Sequence, residues 1–122
     1  MEQKRSGWET LMKQQPSRDE AAALEAAGGD ADLARELVET LVQGLPDELE
    51  ELRGCFATKD WPNLAATAHR MRGATSYCGT PALDRRLQEL ERVAPSGDPE
   101  RIRPALLQVE QEAERLTRAI IA

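Results

Sequence analysis

The sequence predicts an all-α domain: an up-and-down antiparallel four-helix bundle with an additional short N-terminal helix. Three observations lead there. Aromatic residues make up only 3% of the chain, while Ala, Leu, Glu and Arg are abundant and β-branched residues scarce, a composition that favours helices over strands. Leu, Val and Ile recur at spacings of three and four from Leu33 onward, as on one face of a helix. Gly, Pro and Asp then cut the chain into segments whose connections are short, and short connections make neighbouring helices pack antiparallel. A chain of 122 residues fits one domain and buries a core without disulfides or metals.

The segments follow in order. Residues 1–18 are polar and interrupted by Pro16 and Ser17, so they read as a tail or linker, with Trp8, Leu11 and Met12 as residues able to dock; the bundle domain takes residues 19–122. Residues 19–27 form a short Ala-rich helix closed by Gly28 and Gly29. Asp30 caps a second helix whose apolar face is Leu33, Leu37, Val38, Leu41, Val42, Leu45, Leu49, Leu52 and Phe56. Pro46 inside that run predicts a kink, or a split near Gly44 and Leu45. Lys59 and Asp60 make the next turn. A third helix covers residues 61–78, with Asp60 as cap, Pro62 in the first turn and Gly79 as stop. Thr80 as N-cap and Pro81 at the first position begin a fourth, carrying Leu83, Leu87, Leu90 and Val93. Residues 94–98 are a loop. The last helix, residues 99–120, carries Ile102, Leu106, Val109, Leu116 and Ile120, with Pro104 in its first turns.

Charge and cysteine usage remove several functions. The net charge of −6 opposes the basic surface that nucleic acids require. No apolar run reaches about 18 residues and the N-terminus has no signal-like stretch, so the expected location is the cytoplasm, without direct membrane contact. Cys55 and Cys78 form no CxxC pair, and the chain has one histidine. A structural zinc site needs about four nitrogen or sulfur ligands, so no metal site is expected. The two cysteines read as buried or half-buried small residues and not as a disulfide.

The one histidine, His69, lies in the third helix. At roughly 100° per residue, Leu64, Thr67, Ala68, Met71, Ala74, Thr75 and Cys78 gather on the side opposite His69 and form the expected core face. Around His69 fall Ala65, Ala66, Arg72, Gly73 and Ser76. Four of these five are small, where an ordinary solvent face carries long charged side chains. Gly73 costs the helix roughly 1 kcal/mol relative to Ala. Clear space beside an imidazole suits the approach of a partner's surface. Two other readings stay open at this point: a third helix buried on both sides, and an incidental surface histidine.

If His69 is functional, several chemistries fall away. Metal ligands are too few. Position 66 is Ala, so the Glu-x-x-His pair of the di-iron bundles is missing. Ser76 sits about two turns from His69, too far for the hydrogen bond of a nucleophilic triad. No phosphate loop, no paired catalytic carboxylates and no second titratable partner for His69 are recognisable, and the many Asp and Glu residues read as helix-surface charge. The imidazole itself remains as nucleophile, since its neutral form is substantially populated near pH 7. Arg72, one turn on, and Arg70, next to it, carry charge suited to phosphate oxygens.

The stretch Ala68-His69-Arg70-Met71-Arg72-Gly73-Ala74 resembles the signature of histidine phosphotransfer (HPt) domains: His, a basic residue, an apolar residue, Lys, Gly. Asp60-Trp61-Pro62-Asn63-Leu64 before it and Thr75-Ser76-Tyr77-Cys78-Gly79-Thr80-Pro81-Ala82-Leu83 after it are similar as well. The resemblance spans residues 20–120, is most specific over 60–90, and is greatest to the C-terminal HPt domains of tripartite (unorthodox) hybrid sensor histidine kinases. It implies a four-helix bundle whose His69 takes a phosphoryl group from a receiver-domain aspartate and passes it to a response-regulator receiver. It implies no kinase activity and no cofactor of the domain's own, with Mg²⁺ held by the receiver. Arg72 stands in the family's Lys place and Gly73 in its Gly place. Arg70 and Arg72 would stabilise phosphate, and Ala65, Ala66, Gly73 and Ser76, with Arg70, would meet the partner. The expected state is a monomer, acting in the cytoplasm as a domain of a membrane-anchored sensor kinase or by itself. The competing readings are a helical module that docks receiver or kinase domains without being phosphorylated, and a structural, dimerising bundle.

Overall fold

Five helices follow one another among residues 15–121, the part of the chain that the structure, a computed structural model, describes. They are α1 (Glu20–Ala26), α2 (Ala31–Ala57), α3 (Trp61–Cys78), α4 (Pro81–Val93) and α5 (Pro99–Ile121), with a 3₁₀ turn at Ala94–Ser96. Three begin where an aspartate satisfies a backbone N–H left over by the first turn. Asp19 accepts from Ala22 at 3.0 Å, Asp30 from Leu33 at 3.1 Å and Asp60 from Asn63 at 3.3 Å.

Helix α4 starts differently from the expectation. Thr80 occupies the cap position, but it is only 1% exposed and its hydroxyl donates back to the Thr75 carbonyl at 3.3 Å. A buried hydroxyl must find an acceptor for its hydrogen, and that carbonyl is within reach. Capping passes to the chain before α1: the Pro16 carbonyl accepts from Ala82 N–H at 3.2 Å, and Asp19 N–H donates to the Gly79 carbonyl at 2.7 Å. Arg115 of α5 fixes the same segment, donating to Ser17 Oγ at 2.5 Å and to the Gln15 carbonyl at 2.9 Å. Trp8, Leu11 and Met12, with the rest of 1–14, lie outside the described residues.

Nor does Pro46 split α2, which runs unbroken past it. The proline is exposed, so water can satisfy the carbonyl that loses its donor, while Val42, Leu45 and Leu52 of the same helix stay buried. Helices α2 to α5 pack as consecutive neighbours, and α5 returns to α2 to close the ring. Its core includes Val38, Leu45, Leu52, Leu64, Met71, Leu83, Leu87, Leu90, Ile102, Val109 and Leu116. The apolar face of α2 frays at its start, where Leu33 is 40% exposed. Cys78 is buried and Cys55 half-buried, both as free thiols. Burial pushes both thiols up from their ordinary range, with Asp60 and Glu51 adding to it at Cys55.

Helix α1 covers one end of the ring through a small cluster of Ala23, Ala27 and Ala34. The close approach depends on Gly79, which ends α3 at φ 63°. A Cβ there would run into the Asp19 carbonyl and into Ala23.

Candidate functional site

Helix α3 is held on two sides, by α2 and by α4, and leaves one side to water. Leu64, Thr67, Ala68, Met71, Thr75 and Cys78 are buried as expected. Ala74 is not. The buried stripe is narrower than the wheel drawn from sequence, and Ala74 instead lines a shallow apolar cleft with Leu37, Leu41 and Tyr77 between α2 and α3. On the opposite side the His69 side chain is 73% exposed. Ala66, Gly73 and Ser76 are exposed around it, and Ala65 is half-buried. Ser76 turns its hydroxyl into its own helix, donating to the Gly73 carbonyl at 3.1 Å. A Cβ built on Gly73 meets no atom within 4 Å, so packing among the described residues does not require the glycine.

The imidazole is exposed but not loose. Its Nδ1 lies 2.7 Å from Oε1 of Glu91, on α4. An ionised carboxylate only accepts, so Nδ1 carries a proton, and in the neutral ring the lone pair is then on Nε2. The second oxygen of Glu91 accepts from Arg72 Nη1 at 2.9 Å. Arg72 Nε stands 3.6 Å from Oδ1 of Asp84, which also accepts the Thr75 hydroxyl at 2.7 Å. Partial burial pushes the Glu91 carboxyl up, but hydrogen bonds from Arg72 and His69, and their charges, outweigh it and the net shift is downward.

These contacts overturn the expectation that His69 has no titratable partner. Glu91 and Asp84 are the residues that sequence reasoning missed. Their signal was present: they are seven residues apart, two turns on α4, beside the core residues Leu87 and Leu90. The two basic residues are also not equivalent. Arg70 reaches α2, where Glu51 binds it at 2.5 Å and, with Glu48, raises its already high pKa. Arg72 is drawn to α4. Each guanidinium is engaged by a carboxylate. Among the described residues no group of three or more His, Cys, Asp and Glu is placed to hold a metal ion.

Among the described residues the chain is an all-helical bundle that offers one oriented imidazole to solvent. Residues 36–119 match the family model described as the Hpt domain. The chain belongs to the Hpt domain family, and its role is histidine phosphotransfer in a phosphorelay. It is 36% identical over 73 residues to the sensor histidine kinase GacS of Pseudomonas protegens, which covers 60% of this chain and 8% of that one. It is 27% identical over 111 residues to the signal transduction histidine-protein kinase BarA of Shigella flexneri, covering 90% of this chain and 12% of that one. The chain thus spans about a tenth of the length of the curated relatives it matches. The crystal structure of the HPT domain of a sensor hybrid histidine kinase from Shewanella superposes with a TM-score of 0.75 at 26% identity, over 85% of this chain and 90% of that one.

Proposed function

We propose that Nε2 of His69 is the phosphoacceptor, that the donor is a phosphorylated aspartate of a receiver domain, and that a second receiver takes the group onward. The observation that carries this reading is one side chain that is both 73% exposed and held through Nδ1 by Glu91. In the forward step the Nε2 lone pair attacks phosphorus and the P–O bond to the aspartyl carboxylate breaks. The receiver's carboxylate leaves as the anion, and the ring keeps its Nδ1 proton. The positive charge gained by the ring faces Glu91, which favours it electrostatically. The reverse step returns the group to an aspartate by the same path.

Water exclusion and Mg²⁺ are assigned to the receiver. The domain needs no cofactor of its own and has no autonomous kinase activity. Ala65, Ala66, Gly73 and Ser76 form the docking surface, where the small side chains let the receiver approach Nε2, and Arg70 stands at its α2 edge. Such a transient interface is small, on the order of 1,000 Å² or less in total. The domain acts as a monomer in the cytoplasm, as part of a larger sensor kinase of the kind its relatives represent or by itself. No helix among the described residues is long and apolar enough to cross a membrane.

The test is transfer from a phosphorylated receiver with Mg²⁺. Label should appear on the wild type, stable to base and labile to acid, and be absent from His69→Gln. Label on His69→Gln would remove His69 as acceptor. Binding of receivers by a wild type that never takes label would leave a docking module.

A further inference from the structure

We propose that Arg72 is a positioning residue in this chain and not a phosphate ligand: with Asp84 it pins Glu91, and Glu91 fixes the His69 ring. The inference rests on the reading of His69 as phosphoacceptor and concerns how that site is held.

The geometry orders these residues into one connected line. Thr75, 2% exposed, donates to Asp84 Oδ1 at 2.7 Å and so anchors that carboxylate to α3. Asp84 attracts Arg72 Nε across 3.6 Å. Arg72 donates through Nη1 to Glu91 Oε2 at 2.9 Å, and Glu91 Oε1 meets His69 Nδ1 at 2.7 Å. The line runs from the buried side of α3, over α4, and back to the exposed ring. Arg72 is the only member that touches both acids. Its side chain is 29% exposed, against 59% for Arg70, and its Nε is closed off from solvent with no hydrogen-bond acceptor within range. If the guanidinium left for a phosphoryl group on Nε2, Asp84 and Glu91, two turns apart on α4, would both lose the cation they share. Glu91 would then have one donor, the ring it is meant to hold.

This also accounts for Arg where the family signature carries Lys. A guanidinium spreads its charge over several nitrogens in a fixed plane, so one side chain can hydrogen-bond Glu91 through Nη1 while Nε stays within charge range of Asp84. An ammonium is a point charge on a flexible stem, and it will settle on one of them. Arg72→Lys keeps the charge and the reach, and it should still fail.

The experiment compares wild type, Arg72→Lys, Asp84→Asn and His69→Gln, each checked for folding by its amide NMR spectrum. It reads the rate of transfer from a phosphorylated receiver, the half-life of the phosphohistidine, and the ¹⁵N signals of the His69 ring. Arg72→Lys and Asp84→Asn should each slow transfer about tenfold, as misplacement of a reacting group does. They should also mix the ring tautomers and leave the phosphohistidine half-life unchanged. Arg72→Lys at the wild-type rate with an unchanged ring spectrum would overturn the inference. So would Asp84→Asn without effect while Arg72→Lys alters the phosphohistidine half-life, since Arg72 would then act on the phosphate. In both cases a blank His69→Gln leaves the acceptor assignment standing, whereas label on His69→Gln would remove that assignment first.

Discussion

Two glycines six residues apart, one within α3 and one capping it, stand in opposite relations to the fold. Gly79 ends the helix at φ 63°, under α1, where a Cβ would collide with the Asp19 carbonyl and Ala23. Gly73 lies in the helix interior beside His69, with nothing within 4 Å of the place its Cβ would take. The first is explained by the chain's own packing. The second weakens its helix and is explained by nothing among the described residues. A residue that the described packing does not need, at a place where it costs stability, supports the proposal that this surface receives a partner.

The difference can be broken by matched substitutions. Gly79→Ala should destabilise the domain most, by about 3 kcal/mol, because a left-handed backbone and a collision with α1 act together. Urea unfolding measures it, and a loss below about 1 kcal/mol would mean that α1 lifts away without consequence. Gly73→Ala should raise stability by up to about 1 kcal/mol, the helix-propensity difference, while slowing transfer from a receiver. Opposite signs in the two measurements are the point of that variant; transfer at the wild-type rate would show that no partner needs the space. The smallest effect is electrostatic. Glu91 titrates below its ordinary value, so the stability it contributes is fully present above the ordinary carboxylate range and is lost as pH falls through its lowered native pKa. The stability difference between wild type and Glu91→Gln should therefore shrink as pH falls from the ordinary carboxylate range through the lowered native value, as read from unfolding curves at a series of pH values.

The same contrast separates what the sequence made legible from what it did not. Helix boundaries were readable at Asp30, Asp60, Gly79 and Pro81 because a cap or a stop acts within one turn of the chain. Thr80 looked like another cap, but burial turned its hydroxyl inward, and Pro16, distant in sequence, took over. His69 and its small neighbours were readable because a helix surface repeats at a fixed angle. Ala74 was placed on the wrong side of that surface because the width of the buried stripe depends on how closely α2 approaches. Glu91 and Asp84 were set aside with the other acids for the same reason: only the rotation of α4 against α3 distinguishes a carboxylate that meets an imidazole from one that meets water.

A ring with 73% of its side chain in solvent has no roof. If the ring takes the phosphoryl group as proposed, whatever shelters the reaction must be carried in by the partner and carried away again. On that proposal the bundle owns half of an active site, and two receivers that bring the same other half would take turns on it, the order set by which is charged and which is empty.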